Sequence, residues 1–264
     1  MKQKLLTPLS VALLAALFCA GPRPASAQAA ADGSDGSMVP AVDPTVVARL
    51  DDMGKYLRSL KSFTVKADTW DEMVTEDLQK LQFGGSIEYR AQRPGGLYAH
   101  IKTDRKDREL FYDGKTITLY APRMKYYASL PAPPDLSGMV AVAQEHEWDL
   151  PLADLFLWGT DIARRTPMSS AIYVGPAKMG DAVLDQYAVR QGDVDWQVWL
   201  SRGDAPLPRK LVMTANNDPA RPAYTAVLHW DTQAKVAASD FTFSPPEGAE
   251  EIEVVTVAEV EVAE

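Results

Sequence analysis

Three histidines and one acidic cluster are the side chains of this sequence whose types and spacing best suit chemistry. The cluster, Glu145–Asp149, could offer carboxylate and imidazole ligands to a metal ion. No second segment completes such a site, and the cluster directly precedes Pro151, so a solvated linker is the preferred interpretation. His100 and His229 are each flanked by alternating apolar residues, which predicts solvated or hydrogen-bonded positions on the polar faces of strands rather than ligand roles.

The motifs of the common enzyme classes are missing from the sequence. It contains no G-x-S-x-G, G-x-x-x-x-G-K-[ST], H-E-x-x-H or G-x-G-x-x-G pattern. We therefore expect a protein that is not an enzyme, with no catalytic residues, no metal ligands and no cofactor. A hydrolase or a metal-dependent enzyme is the least favoured alternative.

Charge and hydrophobic content exclude two further classes. With 36 acidic and 27 basic residues the formal charge is −9, which does not suit a nucleic-acid binder. A hydrophobic fraction of 46% excludes a disordered chain.

The first residues have the pattern of a secretory signal peptide. Lys2 and Lys4 precede the apolar run Leu9–Ala20, and Ala25–Ala27 is a small-x-small cleavage site. The apolar run is too short to span a membrane. We expect export to the periplasm and cleavage after Ala27, and the only cysteine, Cys19, would leave with the peptide.

Order is expected to begin with an amphipathic helix. Asp43 is a suitable N-cap and Pro44 suits the first turn. The apolar stripe that follows has helical spacing and consists of Val46, Leu50, Met53, Leu57 and Leu60.

Strands dominate the rest of the chain. The first set is Phe63–Val65, Gly85–Ala91, Leu97–Thr103, Glu109–Tyr112, Thr116–Ala121 and Lys125–Ser129; the second is Ala171–Val174, Val183–Arg190, Val194–Ser201, Arg209–Ala215 and Ala223–Trp230. The connections are short turns, which predicts sequential antiparallel hairpins. An insert between Pro131 and Pro167 separates the sets, with short helices expected at Leu136–Ala143 and Leu152–Trp158.

Alternation of apolar and polar residues within the strands predicts one apolar face and one solvent-exposed face. Leu97, Ala99 and Ile101 fall on one side of their strand, as do Trp196 and Val198 on theirs. An apolar face of this extent must be covered, and the available covers are the helices. The predicted fold is α+β: a strongly curved antiparallel sheet, an incomplete β-barrel, with helices covering the concave face.

We expect four segments along the chain. They are a signal peptide (1–27), a flexible leader (28–42), one folded domain (43–256) and an acidic tail (257–264), and Ile252–Val255 could add a strand to the sheet.

Several segments resemble a family of predicted periplasmic proteins of unknown function, DUF2092, which is related to the LolA, LolB and RseB group of lipoprotein carriers and sensors. The segments are Arg93–Leu97, Phe111–Lys115, Tyr126–Tyr127, Trp196–Leu200, Gly203–Val212, Tyr224–Leu228 and Phe241–Ala249, and the resemblance covers roughly Val46 to Ile252. It implies a LolA-like half barrel whose apolar cavity, capped by helices, receives acyl chains or another hydrophobic group.

The expected function is a periplasmic binding or carrier protein for a hydrophobic small molecule, a lipid or a lipoprotein acyl chain. The residues expected to line the cavity are Met53, Leu57, Leu97, Ala99, Ile101, Leu119, Met124, Tyr126, Met139, Leu155, Phe156, Trp158, Trp196, Val198 and Leu228. Sequence alone does not decide whether the helices fill the concavity or act as a lid. The alternative is an RseB-type envelope sensor or interaction module that contacts another envelope protein. We expect a monomer in either case.

Overall fold

The computed structural model describes residues 42–158 and 166–254. The predicted signal peptide, residues 28–41 of the predicted leader and the acidic tail lie outside the described residues. Within the described ranges, no helix is both long enough and apolar enough to span a membrane.

The described elements are three α-helices, twelve strands and a 3-10 helix. The helices are α1 (Pro44–Ser59), α2 (Leu136–Glu145) and α3 (Asp154–Leu157), and the 3-10 helix is Ala238–Phe241. The strands of the first set are β1 (Ser62–Val74), β2 (Lys80–Gln92), β3 (Gly96–Thr103), β4 (Asp107–Tyr112), β5 (Thr116–Ala121) and β6 (Tyr126–Pro131). Those that follow are β7 (Met168–Met179), β8 (Ala182–Gln191), β9 (Val194–Leu200), β10 (Pro208–Ala215), β11 (Ala223–Asp231) and β12 (Glu250–Glu251).

All twelve described strands form one sheet in the order β12-β6-β5-β4-β3-β2-β1-β11-β10-β9-β8-β7. The strands form two meanders, β1–β6 and β7–β11, and within each the strands pair sequentially and antiparallel, as predicted. The two meanders join through antiparallel pairing of β1 with β11, for example Val65 opposite Trp230. Of these twelve strands, β12 alone is parallel to its neighbour, β6. Since β7 and β12 stand at the two edges and do not pair with each other, the sheet is open and does not close into a barrel.

Helix α1 forms where the sequence predicts it. The Asp43 carboxylate accepts a hydrogen bond from the Thr45 N–H at 2.8 Å, which caps the first turn. The predicted stripe is buried at Val46, Leu50, Met53 and Leu57.

All three α-helices pack on one face of the sheet. The ring of Phe156 in α3 stacks on Phe63 of β1 at 5.9 Å and meets Tyr89 of β2 edge-on at 5.2 Å. Twelve strands spaced about 4.8 Å apart would make a flat sheet about 50 Å wide, too wide for three short helices to cover. The buried core nevertheless runs from β5 to β7, because the sheet curves around the helices. The predicted half barrel with helices on its concave face is confirmed.

Four predicted elements have other lengths in the structure. Strand β2 already begins at Lys80, and β7 spans Met168–Met179. Strand β1 continues to Val74 instead of ending at Val65. Its buried positions include Ala67, which is small, and Thr69, which is polar, so the sequence shows no clear apolar alternation there. The second insert helix is limited to α3, because Leu152 adopts a positive φ of 67° and cannot belong to a right-handed helix.

The convex face is not uniformly wet, contrary to prediction. The C-terminal segment crosses it, and the Phe243 ring lies 5.2 Å from Phe111, 5.4 Å from Tyr120 and 4.9 Å from Tyr127. The added strand, β12, falls at Glu250–Glu251, before the predicted Ile252–Val255, of which the described residues 252–254 form no strand. The convex side of β3 to β6 therefore has its own aromatic layer.

Candidate ligand-binding site

The structure brings most of the predicted lining residues together on the concave face. Those buried in the shared core are Met53, Leu57, Leu97, Ala99, Ile101, Met139, Leu155, Phe156, Trp196, Val198 and Leu228. Leu119 and Trp158 are half-buried and pack against that core. They come from α1, α2, α3, β3, β5, β9 and β11, so the apolar surface is continuous across both meanders.

Two predicted lining residues lie at the rim instead. Met124 occupies the turn between β5 and β6 and is 53% exposed. Tyr126 is 41% exposed, because it forms the last residue pair of that hairpin, opposite Ala121, beyond the cover of the helices. These side chains do not share the buried surroundings of the other thirteen.

Residues 132–158, which we call the lid, cover the concave face without adding a strand to the sheet. The Tyr89 hydroxyl donates to the Pro151 carbonyl at 2.6 Å, and the Tyr112 hydroxyl donates to the Pro133 carbonyl. Lys106, in the turn between β3 and β4, forms an ion pair with Asp149 at 2.8 Å. These contacts are made by side chains of the sheet, so the lid can move without breaking hydrogen bonds between strands.

Side chains fill the space between the lid and the sheet in this closed arrangement. Trp158 meets Trp196 edge-on with ring centroids 5.2 Å apart. Helix α1 approaches the end of the lid at Gly54, where an added Cβ would lie 2.5 Å from Cδ1 of Trp158. A ligand chain on this face would have to replace the side chains of the lid.

Two open grooves lie where the turn between β2 and β3 meets the N-terminus of α2. Their volumes are about 580 and 590 Å³, and both are lined by Gln92, Arg93 and Pro94. One extends to Asp135 and the other to Phe241. Both grooves lie at the N-terminal end of the lid.

Arg93 is the charged residue common to both grooves. No described residue accepts a hydrogen bond from its Nε or Nη2 atom, and both atoms are buried. Burial lowers the pKa of its guanidinium, and the nearby charge of Arg58 lowers it further. The sequence pattern indicates Arg93 only as part of a turn, because nothing local shows that the fold would bury its side chain.

The histidines and the acidic cluster have ordinary structural contacts. His100 contacts Asp107 at 2.9 Å and His229 contacts Asp68 at 3.4 Å, both on the convex face as predicted. His146 ends α2, where its Nδ1 lies 3.0 Å from the Val142 carbonyl. Within residues 42–158 and 166–254, no three or more His, Cys, Asp or Glu side chains are grouped so as to hold a metal ion.

Several solved structures are similar to this chain at low identity. An uncharacterized conserved protein of Thermus thermophilus is 9% identical, with a TM-score of 0.45 over 79% of this chain and 98% of its own. The lipoprotein LppX of Mycobacterium tuberculosis is 10% identical, with a TM-score of 0.45 over 74% and 100%. A LolA superfamily protein of Nitrosomonas europaea is 8% identical, with a TM-score of 0.34 over 75% and 97%. Because these TM-scores are all below 0.5, they support no statement about what this chain binds.

No protein with a curated functional description matches the sequence. A family model does: "Predicted periplasmic protein (DUF2092)" matches residues 47–255. This range includes almost all of both meanders, α1 and the lid, and it confirms the resemblance and the periplasmic location predicted from the sequence. The chain therefore belongs to the DUF2092 family of predicted periplasmic proteins.

Proposed function

We propose that this protein is a periplasmic binding or carrier protein for a hydrophobic ligand, a lipid or the acyl chain of a lipoprotein. Residues 43–256 act as one domain, and the ligand is held without covalent chemistry on the concave face after the lid moves aside. The observation that carries the proposal is the continuous apolar face covered by a segment that makes no strand pairing with it.

The energy of burial is sufficient for such a ligand. Each methylene transferred from water contributes about 0.8 kcal/mol, so a twelve-carbon chain gains about 10 kcal/mol. Part of this gain is offset because lid side chains such as Phe156 and Met139 leave the same surface. The remainder allows reversible binding, which a carrier needs in order to release its ligand.

The test is native mass spectrometry, with lipid extraction, on protein purified from its own cell envelope. We expect a bound hydrophobic molecule in a fraction of the protein. Titration with acyl ligands should also quench tryptophan fluorescence, since Trp158 and Trp196 lie together beneath the lid. Repeated absence of any bound hydrophobe, together with unchanged fluorescence, would contradict the proposal.

A second candidate function, an interaction module for another envelope protein, is favoured by the edge strand β7. Ile172, Tyr173 and Val174 of this strand are exposed. At the neighbouring Ala171, Val42 forms an isolated β-bridge, the one such bridge among the described residues outside the sheet. An extended segment of a partner could add to this edge. Envelope crosslinking from a photoreactive residue at position 173 should then recover one stoichiometric partner, and recovery of a random mixture would count against it.

A further inference from the structure

A second polar position lies on the concave face, at the end opposite Arg93. Asp71 is on the same face of β1 as the buried residues Val65, Ala67 and Thr69. Its direct cross-strand neighbours are Tyr224 of β11 on one side and Phe83 of β2 on the other. Directly opposed residues share a face, so Asp71 and Tyr224 are adjacent on the concave side.

Each of these two side chains has a buried polar atom without a hydrogen-bond partner among the described residues. Tyr224 is only 7% exposed, and its hydroxyl has no described partner in good hydrogen-bond geometry. Burial raises the pKa of that hydroxyl, and weak hydrogen bonding with Thr69, the one described side chain within reach, lowers it by less. The Oδ1 atom of Asp71 is also buried and accepts no hydrogen bond.

Buried polar atoms of this kind are unfavourable, typically by about 1 to 3 kcal/mol for each missing hydrogen bond. Two such atoms side by side indicate a position whose hydrogen bonds are completed by something other than the chain.

Among the described residues, no basic side chain forms an ion pair with Asp71. Lys106 is paired with Asp149 of the lid at 2.8 Å. Glu72 points to the opposite face, where it contacts Lys80 at 3.1 Å. Burial raises the pKa of the Asp71 carboxyl, and although Lys106 opposes this effect, Asp149 and Glu72 add to it.

A second nearby cation is also engaged elsewhere. The Arg105 guanidinium lies over the Phe83 ring, 4.1 Å from its centroid, and donates to the Met73 sulfur at 3.4 Å. Phe83 lies opposite Asp71, and Met73 follows two residues later on the same face of β1, so Asp71 is bordered by apolar side chains. A ligand chain lying on this face would place its head group beside the carboxylate.

We propose that Asp71 and Tyr224 form a polar anchor for an amphiphile that carries a primary amine in its head group. This inference rests on the proposed function, because the alkyl part of the ligand occupies the concave face. The ammonium donates to Asp71 Oδ1, and the Tyr224 hydroxyl donates to an oxygen of the head group. The pair Lys106 and Asp149 closes the same end of the lid over the bound group.

The test compares two probes with identical chains, dodecylamine and the neutral N-dodecylacetamide, by tryptophan fluorescence at pH 7.5 below their micellar concentrations. We expect the amine to bind about tenfold more tightly than the acetamide, which is the change in affinity that one charge-assisted hydrogen bond produces. Asp71→Asn should remove this preference while leaving the affinity for the acetamide within about twofold. Tyr224→Phe should weaken binding of dioctanoyl phosphatidylethanolamine, which offers head-group oxygens, more than binding of dodecylamine.

The matched control is Asp68→Asn, which removes the same charge from the same strand on the convex face, where Asp68 contacts His229. It should leave the amine preference intact. Equal affinities of the two probes in the wild type, or an unchanged preference in Asp71→Asn, overturn the anchor and leave the proposed function standing. Failure of both probes to bind overturns the proposed function and the anchor with it.

Two further ligands distinguish a membrane lipid from a lipoprotein as the source of the amine. Dioctanoyl phosphatidylethanolamine represents a membrane lipid, and a diacylated peptide with a free N-terminus represents a lipoprotein. Asp71→Asn should weaken the tighter of the two about tenfold. If it weakens neither, the amine anchor is wrong.

Discussion

Asp71 and Asp195 lie on strands of the same sheet, yet their surroundings shift their pKa values in opposite directions. Burial without a cation raises the pKa of Asp71 to about 6. The Arg190 guanidinium, which donates to Asp195 at 2.6 and 2.8 Å, lowers the pKa of Asp195 to about 2, and Arg221 assists. The first carboxylate has no described cation as partner, and the second is committed to ion pairs with arginine.

Asp71→Asn is expected to increase stability at neutral pH. The folded protein has a raised Asp71 pKa, so it binds a proton more tightly than the unfolded chain does, and wild-type stability rises as pH falls through about 6 toward about 4. At pH 7.5 the variant should gain about 1 kcal/mol in the free energy of unfolding, since water still reaches part of the carboxyl. Urea unfolding at pH 7.5 and 4.5 measures the difference.

Two outcomes of that measurement matter. The gain should shrink at pH 4.5, because the wild-type carboxyl is then protonated. Asp68→Asn should show no such gain. A loss of stability in Asp71→Asn at pH 7.5 would mean that the carboxylate has a favourable internal partner, which would also weaken the anchor proposed for it.

Asp195→Asn should have the opposite effect. The lowered pKa means that the ion pairs contribute stability above about pH 4, and that this contribution is lost as pH falls toward about 2. We expect a loss of about 1 kcal/mol at pH 7. Urea unfolding of Asp195→Asn against the exposed control Asp193→Asn checks this, and equal stability of the two variants would show that the arginine contacts are energetically neutral.

At the scale of elements, the lid is the part of the fold whose movement the proposed function requires. It is tied to the sheet by side chains at Tyr89, Tyr112 and Lys106 and by one backbone hydrogen bond, from Ala132 to Lys115, whereas every strand of the sheet is held by a ladder of backbone hydrogen bonds. Segments with few backbone hydrogen bonds to their surroundings open at lower free energy than the elements beneath them. Opening of the lid therefore need not disturb the sheet.

A covalent tie between Lys106 and Asp149 should block ligand uptake. Their side chains are in contact at 2.8 Å, so a carbodiimide can join the amine and carboxylate as an amide. We expect the cross-linked protein to lose tryptophan quenching by acyl ligands, because the lid can no longer leave the concave face. Peptide mass spectrometry verifies the bond.

The control for this experiment is Asp149→Asn, which cannot form the amide. After the same treatment it should bind as well as untreated Asp149→Asn protein does. Full binding by protein that is verified as cross-linked would show that ligand enters without movement at this end of the lid.

At the scale of the whole molecule, the ligand and the lid compete for the same apolar face. A ligand that binds only the folded state stabilises it by about 2.7 kcal/mol at one hundred times its Kd. For a domain of this size that corresponds to a rise in Tm of about 5 to 10 °C. A carrier should show this increase with acyl ligands even though its own core is already closed.

Differential scanning fluorimetry with an extrinsic readout of unfolding tests this expectation. Dodecylamine at saturating concentration should raise Tm, and Trp158→Phe should retain the rise while losing part of the fluorescence quenching, since Trp158 is half-buried at the edge of the core. Quenching without any rise in Tm would indicate contact of the ligand with the protein surface or with a partly unfolded state.

The sequence by itself determined the local parts of this fold. Asp43 followed by Pro44 specifies the start of α1 through capping chemistry, and the alternation in Leu97–Thr103 specifies which side chains of β3 face the core. Short turns leave a strand no other partner than its neighbour, so both meanders follow from the pattern. These features depend on residues close in sequence, and for that reason the sequence pattern predicts them.

Only the tertiary structure decided which distant residues meet. The pairing of β1 with β11 joins segments separated by most of the chain, and it alone places Asp71 beside Tyr224. The same folding buries two guanidinium nitrogens of Arg93 and brings Phe243 over the convex face. Local periodicity carries no information about such contacts, because they arise from curvature of the whole sheet and from the need to cover each of its apolar surfaces.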